Sequence, residues 1–200
     1  MRYLLILLLG IGSASYGQSL VAKACVNEGE ILVRWSPTSE KNFRLGLEYG
    51  YVIKGAPGLG LSASEIENSS EKFEFRHDPA MFKLEEIQEG DDKRMAQMAS
   101  FVDAYLDADR NAEADQQVFA TLMLSAGTDQ GIADLLGVLY KNKINSNSGS
   151  FTFAIGIPDP EDASKYKVGP VLITADAGKV TRFDPIEKVE GKSSRKEIEI

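Results

Sequence analysis

The feature that most constrains the fold is the segment 31–54, which reads ILVRWSPTSEKNFRLGLEYGYVIK. Apolar residues recur at every second position on both sides of a turn-rich link, namely Ile31, Val33 and Trp35 before it and Tyr49, Tyr51 and Ile53 after it. A period of two is the spacing of side chains on one face of a β-strand. The segment therefore predicts two antiparallel strands of one sheet, with Trp35 buried in the core.

The first seventeen residues have the pattern of an export signal. Arg2 supplies a positive start, residues 4–11 an apolar run, and Ser15 and Gly17 the small residues before a cleavage site ahead of Gln18. The apolar run is too short to hold the chain in a bilayer. We therefore expect an exported protein, secreted or on the cell surface. The alternative is that residues 1–17 form a buried strand or helix of the mature fold.

The charge balance limits the partners. The chain has 22 basic and 30 acidic residues, a formal net charge of −8, and no basic cluster. An acidic surface of this kind argues against binding to nucleic acid or to anionic membranes. No transmembrane segment is predicted. Cys25, the single cysteine, follows Lys23 and Ala24 well downstream of the leader, so a buried structural thiol is favoured over lipid attachment.

The spacing of apolar residues along the chain predicts further strands and helices. Strands are predicted at residues 20–26, around Phe73 and Phe75, at 151–157 and at 171–175. Between these early and late strands the period becomes helical, which predicts three amphipathic helices over about 92–106, 113–126 and 128–141. Asp91 or Asp92 is placed to cap the first of them.

Several of these strands resemble a known family. ILVRWSP followed by YGYVIK looks like strands B and C of a fibronectin type III domain, and GSFTFAIGI with residues 171–175 looks like strands F and G. The segment RWSPTSEKNFRLGLEYGYVI is similar to a motif of large exported modular proteins of the Bacteroidota kind. The resemblance implies a structural core formed by Trp35, Tyr51, Phe151 and Phe153. The sequence departs from the family pattern at position 151. The family has a tyrosine there, whose hydroxyl forms a hydrogen bond to the backbone, whereas this chain has Phe151.

The resulting fold class is α+β, a fibronectin type III-like antiparallel β-sandwich with a three-helix insertion between its early and late strands. The sandwich is expected over residues 18–178, with the helical insertion at about 80–143. The competing arrangement is an independent helical domain beside a small sheet. Residues 179–200 are interpreted as a linker and the start of a possible second β-sandwich domain, or else as a charged tail.

The sequence contains no catalytic motif. A serine, threonine or cysteine nucleophile needs a positioned base, and the single histidine, His77, is distant in sequence from the single cysteine. We interpret His77 as a surface residue beside a turn. We therefore expect no enzymatic activity and no cofactor.

Part of the pattern of a calcium-binding loop is present, but two of its required residues are missing. Asp107, Asp109 and Asn111 match its first, third and fifth positions. Ala112, however, stands where the loop needs glycine, and Val118 where it needs a bidentate glutamate. A solvated link between two helices is the preferred interpretation, and no metal site is predicted.

These observations predict a non-catalytic module of an exported modular protein, acting as a spacer and as an interaction surface for other secreted or surface proteins. The alternative is a carbohydrate- or protein-binding accessory module of a secreted enzyme, using exposed aromatic residues such as Tyr49 or Phe43 beside the helices. An exposed aromatic platform would favour the alternative, whereas burial of these rings would favour the spacer.

Overall fold

The computed structural model of the chain describes residues 19–27, 30–107, 112–143 and 149–176. The predicted signal (1–17) and the predicted start of a second domain (179–200) lie outside these residues. The described elements are β1 (Leu20–Asn27), β2 (Glu30–Pro37), α1 (Glu40–Tyr49), β3 (Tyr51–Pro57), α2 (Ala63–Asn68), β4 (Phe73–His77), α3 (Met81–Gln88), α4 (Lys93–Asp107), α5 (Ala112–Thr128), α6 (Gln130–Leu135), β5 (Leu139–Lys143), β6 (Ser150–Pro158) and β7 (Tyr166–Asp176).

The strands form two antiparallel sheets. The three-stranded sheet has the order β1-β2-β5, and the four-stranded sheet has the order β4-β3-β6-β7. The edge strands β1 and β7 lie against one another. The fold is thus α+β with two antiparallel sheets arranged as in a β-sandwich, as the sequence predicted.

The prediction that residues 31–54 form two strands of one sheet is wrong. Strand β2 belongs to the three-stranded sheet and β3 to the four-stranded sheet, and the link between them is helix α1. Ser39 caps this helix, since its hydroxyl accepts a hydrogen bond from the backbone N–H of Asn42. Phe43 and Leu47, four residues apart, are both fully buried on one face. The helical spacing of Phe43 and Leu47 is hard to recognise in the sequence, because Gly46 and several polar residues surround them.

Trp35 and Tyr51 instead meet between the two sheets. Their ring centroids are 5.5 Å apart in an edge-to-face arrangement. Trp35, Tyr51 and Phe153 are buried, with exposed fractions of 4%, 1% and 0%. Phe151, the fourth residue of the predicted core, is half-buried and packs against Phe153.

The helices follow the sequence prediction only in part. Helices α4 and α5 lie where the first two were predicted, and Asp92 caps α4 by accepting hydrogen bonds from the backbone N–H groups of Arg94 and Met95. Helix α3 was not predicted. The third predicted helix ends at Leu135 as α6, because Gly137 adopts a left-handed conformation and the chain continues as strand β5.

The helices share one hydrophobic core with the sheets. Phe43 of α1 lies between Tyr105 of α4 and Phe119 of α5, at centroid distances of 5.9 and 5.4 Å. Arg34 of β2 donates hydrogen bonds to the backbone carbonyls of Gly127 and Ala126 in the last turn of α5. A positive side chain at this end of a helix also favours the helix dipole.

Candidate functional site

The outer face of the four-stranded sheet, turned away from the main core, is covered by α2. Ile66 of this short helix packs on Ala56 of β3 and Ala154 of β6, forming a second, smaller hydrophobic cluster. A capping box fixes the start of α2, because the Ser62 hydroxyl and the Glu65 carboxylate each bond to the other residue's backbone N–H. The helix thereby forms one wall of a depression on this face.

Lys54 lies beneath this wall. It occupies the middle of β3, paired with Glu74 on β4 and with Ala154 on β6, and it is only 7% exposed. Its ammonium donates a hydrogen bond of 2.9 Å to Glu67 Oε2 and lies 3.8 Å from Glu74 Oε2. A buried ammonium requires such partners, since an unpaired charge away from water is strongly unfavourable.

The ion pairs continue on both sides of Lys54. Lys72 Nζ lies 2.8 Å from Glu67 Oε1, and Arg76 Nε lies 2.7 Å from Glu74 Oε1. The order Lys72, Glu67, Lys54, Glu74, Arg76 alternates in sign, and we call these five residues the charge ladder. Arg76 also donates to the backbone carbonyl of Ala163 at 3.3 Å. The ladder thus connects α2, β3 and β4 to the loop between β6 and β7.

The pKa of Glu67 reflects its position in the charge ladder. Hydrogen bonds from Lys72 and then from Lys54 lower the pKa of the Glu67 carboxyl from 4.5 to about 2. The Glu67 carboxyl therefore stays ionised at pH values well below the ordinary pKa of a glutamate. Its charge balances part of the positive charge of the two lysines.

Tyr166 closes the other side of the depression. Its ring lies on Gly156, where an added Cβ would come within 2.3 Å of Tyr166 Cδ1, so only glycine leaves room for the ring. Lys54 Nζ is 5.8 Å from the centroid of this ring, a distance suited to a cation–π contact. The hydroxyl is buried and has no hydrogen-bond partner within the described part of the chain. Burial raises the pKa of Tyr166 to about 12, so the hydroxyl keeps its proton.

Together these elements line an open depression with a volume of about 380 Å³. It is lined by Lys54, Ala63, Ile66, Glu67, Ala154, Ser164 and Tyr166. We call it the Lys54 pocket. It combines an ammonium, a carboxylate and two hydroxyl-bearing residues with three apolar side chains. Such a lining can both donate and accept hydrogen bonds, whereas Ile66 and Ala154 are buried against each other at its base.

The sequence did not indicate this pocket. The sequence predicts Lys54 as the end of a strand, and Glu67 and Tyr166 lie outside the predicted strands and helices. One local signal was available: a lysine between apolar neighbours in YVIKGAP is unusual for a strand covered on both faces. Its partners, thirteen or more residues away along the chain, had no such signal.

His77 is not the surface residue that the sequence suggested. It is 5% exposed, with its Nδ1 3.0 Å from the carbonyl oxygen of Asp78 and its Nε2 3.9 Å from Asp134 Oδ1. Contact with His77 lowers the pKa of the Asp134 carboxyl. Gly137 packs on the imidazole, so His77 joins the end of β4 to the turn after α6.

Cys25 is buried, as predicted, with an exposed fraction of 2%. Burial raises the pKa of its thiol, which lowers the fraction of reactive thiolate at neutral pH. The thiol therefore has the environment of a structural residue.

The two aromatic residues considered as a binding platform do not form one. Phe43 is completely buried under the helices, so its assignment as an exposed ring is wrong. Tyr49 is half-buried, and Lys167 Nζ lies 5.2 Å from the centroid of its ring. Phe75 and Phe101, by contrast, are 42% and 38% exposed. Because Phe43 is buried and Tyr49 is only half-buried, the two named rings do not decide between the spacer and the binding module.

Of the rejected calcium-loop residues, Asp107 is the last residue of α4, whereas Asp109 and Asn111 lie outside the described residues. No group of three or more potential metal ligands occurs among the residues that the structure describes. In the same residues, no helix has the length and apolar character needed to cross a membrane.

Comparisons with models of known protein families, with curated proteins and with solved structures gave no match.

Proposed function

We propose that this chain is a non-catalytic module of an exported, surface-associated or extracellular protein. In this proposal a fibronectin type III-like sandwich serves as a spacer and as an interaction surface for other secreted or surface proteins. The observation that carries the proposal is the order of the strands in the two sheets.

In the resemblance β2, β3, β6 and β7 correspond to strands B, C, F and G, and β1, which precedes them along the chain, takes the place of strand A. Strands C, F and G are then adjacent in one sheet, and A and B lie in the other, as in immunoglobulin-like sandwiches. Strand β5 lies beside β2, the position of strand E. The burial of Trp35 on strand B against Tyr51 on strand C agrees with the same assignment.

On this assignment the four helices α3 to α6 are an insertion between β4 and β5. They replace the short connection that such a sandwich needs before strand E, and they pack on α1 and on the three-stranded sheet. The insertion enlarges the surface that the module offers to a partner without opening the core.

Export is tested by expressing the full chain with its own leader in a bacterial host and determining the mass and compartment of the product. We expect a mature form beginning at Gln18 outside the cytoplasm. Leu7→Arg, which places a charge in the apolar run, should leave the full-length chain in the cytoplasm. An unprocessed wild-type chain in the cytoplasm would contradict the proposal.

One observation favours the alternative, a carbohydrate- or protein-binding accessory module of a secreted enzyme. The Lys54 pocket is a concave site with mixed polar and apolar lining, which a simple spacer does not require. The two roles are compatible, because an interaction module can carry a ligand pocket on the outer face of one sheet.

A further inference from the structure

We propose that strand β4 binds β4 of a second copy of this chain, so that the two four-stranded sheets join into one continuous antiparallel sheet. The partner is thus the chain itself, which the proposed spacer role does not specify. Three features of β4 support this pairing: an open edge, a self-complementary order of charges and an exposed aromatic residue.

Among the described strands, β4 is the one edge that is neither covered by another strand nor lined by charges of one sign. The edges β1 and β7 lie against one another. Strand β5 carries the exposed Lys141 and Lys143, which disfavour pairing with a copy of the same strand. Strand β4 is paired with β3, and the described part of the chain contains no backbone hydrogen bond from β4 to any other element. With no proline and no bulge, its free edge can accept a further strand.

The order of charges along β4 is self-complementary. In an antiparallel pair centred on Phe75, Glu74 of each copy lies opposite Arg76 of the other. These two side chains are 36% and 47% exposed, so both can reach such a partner. Arg76 uses Nε for Glu74 and Nη2 for the carbonyl of Ala163, which leaves Nη1 for a carboxylate across the interface.

The charges also select this register. A side chain stays on its own face of the sheet only if the register shifts by two residues at a time. Such a shift would place Glu74 opposite Glu74, or Arg76 opposite Arg76, and like charges directly opposite one another are unfavourable. The pair centred on Phe75 avoids both contacts.

The same pairing covers Phe75. Its ring is 42% exposed at the open side of the sandwich, where its centroid lies 5.4 Å from that of Tyr140. In the pair, the two Phe75 rings would face each other across a twofold axis as a cross-strand aromatic contact. Because the ladder spans only five residues, the dimer should be weak, with a dissociation constant between about 10 µM and 1 mM.

Sedimentation equilibrium of the mature chain, residues 18–200, tests the association at concentrations up to about 1 mM. Phe75→Lys places like charges at the centre of the pair and should weaken association at least tenfold. Phe101→Lys on α4 is the matched control, because this phenylalanine has a similar exposed fraction of 38%, and it should leave association unchanged. A chain that stays monomeric at the highest concentration, or equal effects of the two substitutions, would overturn the proposal.

Glu74→Arg and Arg76→Glu test the register. Each variant alone places like charges opposite one another and should not dimerise, whereas an equimolar mixture should form a heterodimer, because two acids then face two bases. Folded variants that do not associate on mixing would contradict this register. If Glu74→Arg fails to fold, because its contact with Lys54 is lost, nuclear Overhauser effects between labelled and unlabelled wild-type chains decide instead. They should connect Glu74 to Arg76, and intermolecular contacts confined to other strands would overturn the proposal.

Discussion

Lys54 is the residue whose environment says most about this molecule. A lysine in the middle of a strand is normally found with its ammonium in water, but here helix α2 covers it and two glutamates neutralise it. The pair with Glu67 is therefore part of the fold as well as part of the pocket.

The pH dependence of stability should reveal this pair. The folded pKa of Glu67, about 2, is below its ordinary value of 4.5, so its contribution to stability is complete above pH 4.5 and is lost as the pH falls toward 2. Glu67→Gln should remove this contribution and flatten the fall in the free energy of unfolding over that range. Urea unfolding at several pH values measures the free energy of unfolding of both proteins.

The matched control is Glu71→Gln, an exposed position in the turn after α2 that makes no contact with Lys54 in the structure. It should keep the acid slope of the wild type. If Glu67→Gln and the wild type lost stability in parallel from pH 4.5 to 2, the assigned pKa of Glu67 would be wrong.

Two buried tyrosines give a second prediction at the residue scale. The Tyr51 hydroxyl has no hydrogen-bond partner among the described residues, whereas that of Tyr105 donates to Glu40 Oε1 at 2.6 Å. Tyr51→Phe should leave the free energy of unfolding unchanged or raise it by about 1 kcal/mol, because an unpaired hydroxyl is removed from the core. Tyr105→Phe should lower it by about 2 kcal/mol, because a hydrogen bond to a carboxylate is lost.

Chemical denaturation of both variants measures the difference. Equal destabilisation by the two substitutions would show that the Tyr51 hydroxyl is hydrogen-bonded in solution, against the structure.

At the scale of elements, the junction between α1 and β3 decides how the two sheets are connected. Gly50 ends α1 with a φ of 72°, and its backbone N–H donates to the carbonyl of Gly46. A Cβ at Gly50 would lie 2.1 Å from the backbone oxygen of His77 at the end of β4. The turn therefore needs glycine both for its conformation and for its close approach to β4.

Gly60→Ala is the comparison for Gly50→Ala, since the ψ of −165° at Gly50 adds a backbone conformation that is nearly restricted to glycine. Gly60 has a similar φ of 67°, but an added Cβ there meets no atom within 4 Å. Gly60→Ala should lower the free energy of unfolding by about 1 kcal/mol, because alanine is less stable than glycine in the left-handed conformation. Gly50→Ala should lower the free energy of unfolding distinctly more. Thermal or urea unfolding gives both values, and equal losses would contradict the close approach of Gly50 to His77.

The positions of most strands could be predicted from the sequence because alternation is a local property. Strand β6 is an example, since its inward residues Phe153, Ile155 and Ile157 are all fully buried. Helix α1 was missed because its buried stripe, Phe43 and Leu47, is short and lies among turn-forming residues. The sequence predicts a helix through the start of β5, because Leu135, Leu136 and Leu139 continue the helical spacing across Gly137, whose left-handed conformation ends the helix.

The pairing of strands and the Lys54 pocket depend on the whole molecule. The pocket brings together residues from β3, α2, β6 and β7, and nothing local marks Glu67 or Tyr166 as neighbours of Lys54. The resemblance to a sandwich family was informative about which strands follow one another. It contained no information about the charge ladder, which the family pattern does not include.

The shared core of sheets and helices predicts a single unfolding transition. Trp35, the one tryptophan of the chain, reports on the sandwich by its fluorescence, while far-ultraviolet circular dichroism reports mainly on the helices. The two signals should change at the same urea concentration, because Phe43 and Arg34 tie the helices to the sheets. Separate midpoints would instead support an independent helical domain.

The central claim is that the two strands of the segment 31–54 belong to different sheets, joined by α1. Cross-strand nuclear Overhauser effects between backbone protons test it most directly. The structure predicts contacts for Val33 with Tyr140, between β2 and β5, and for Ile53 with Ile155, between β3 and β6. It predicts no backbone ladder between β2 and β3. A continuous set of cross-strand contacts joining β2 to β3 would contradict the sandwich and restore the simple hairpin.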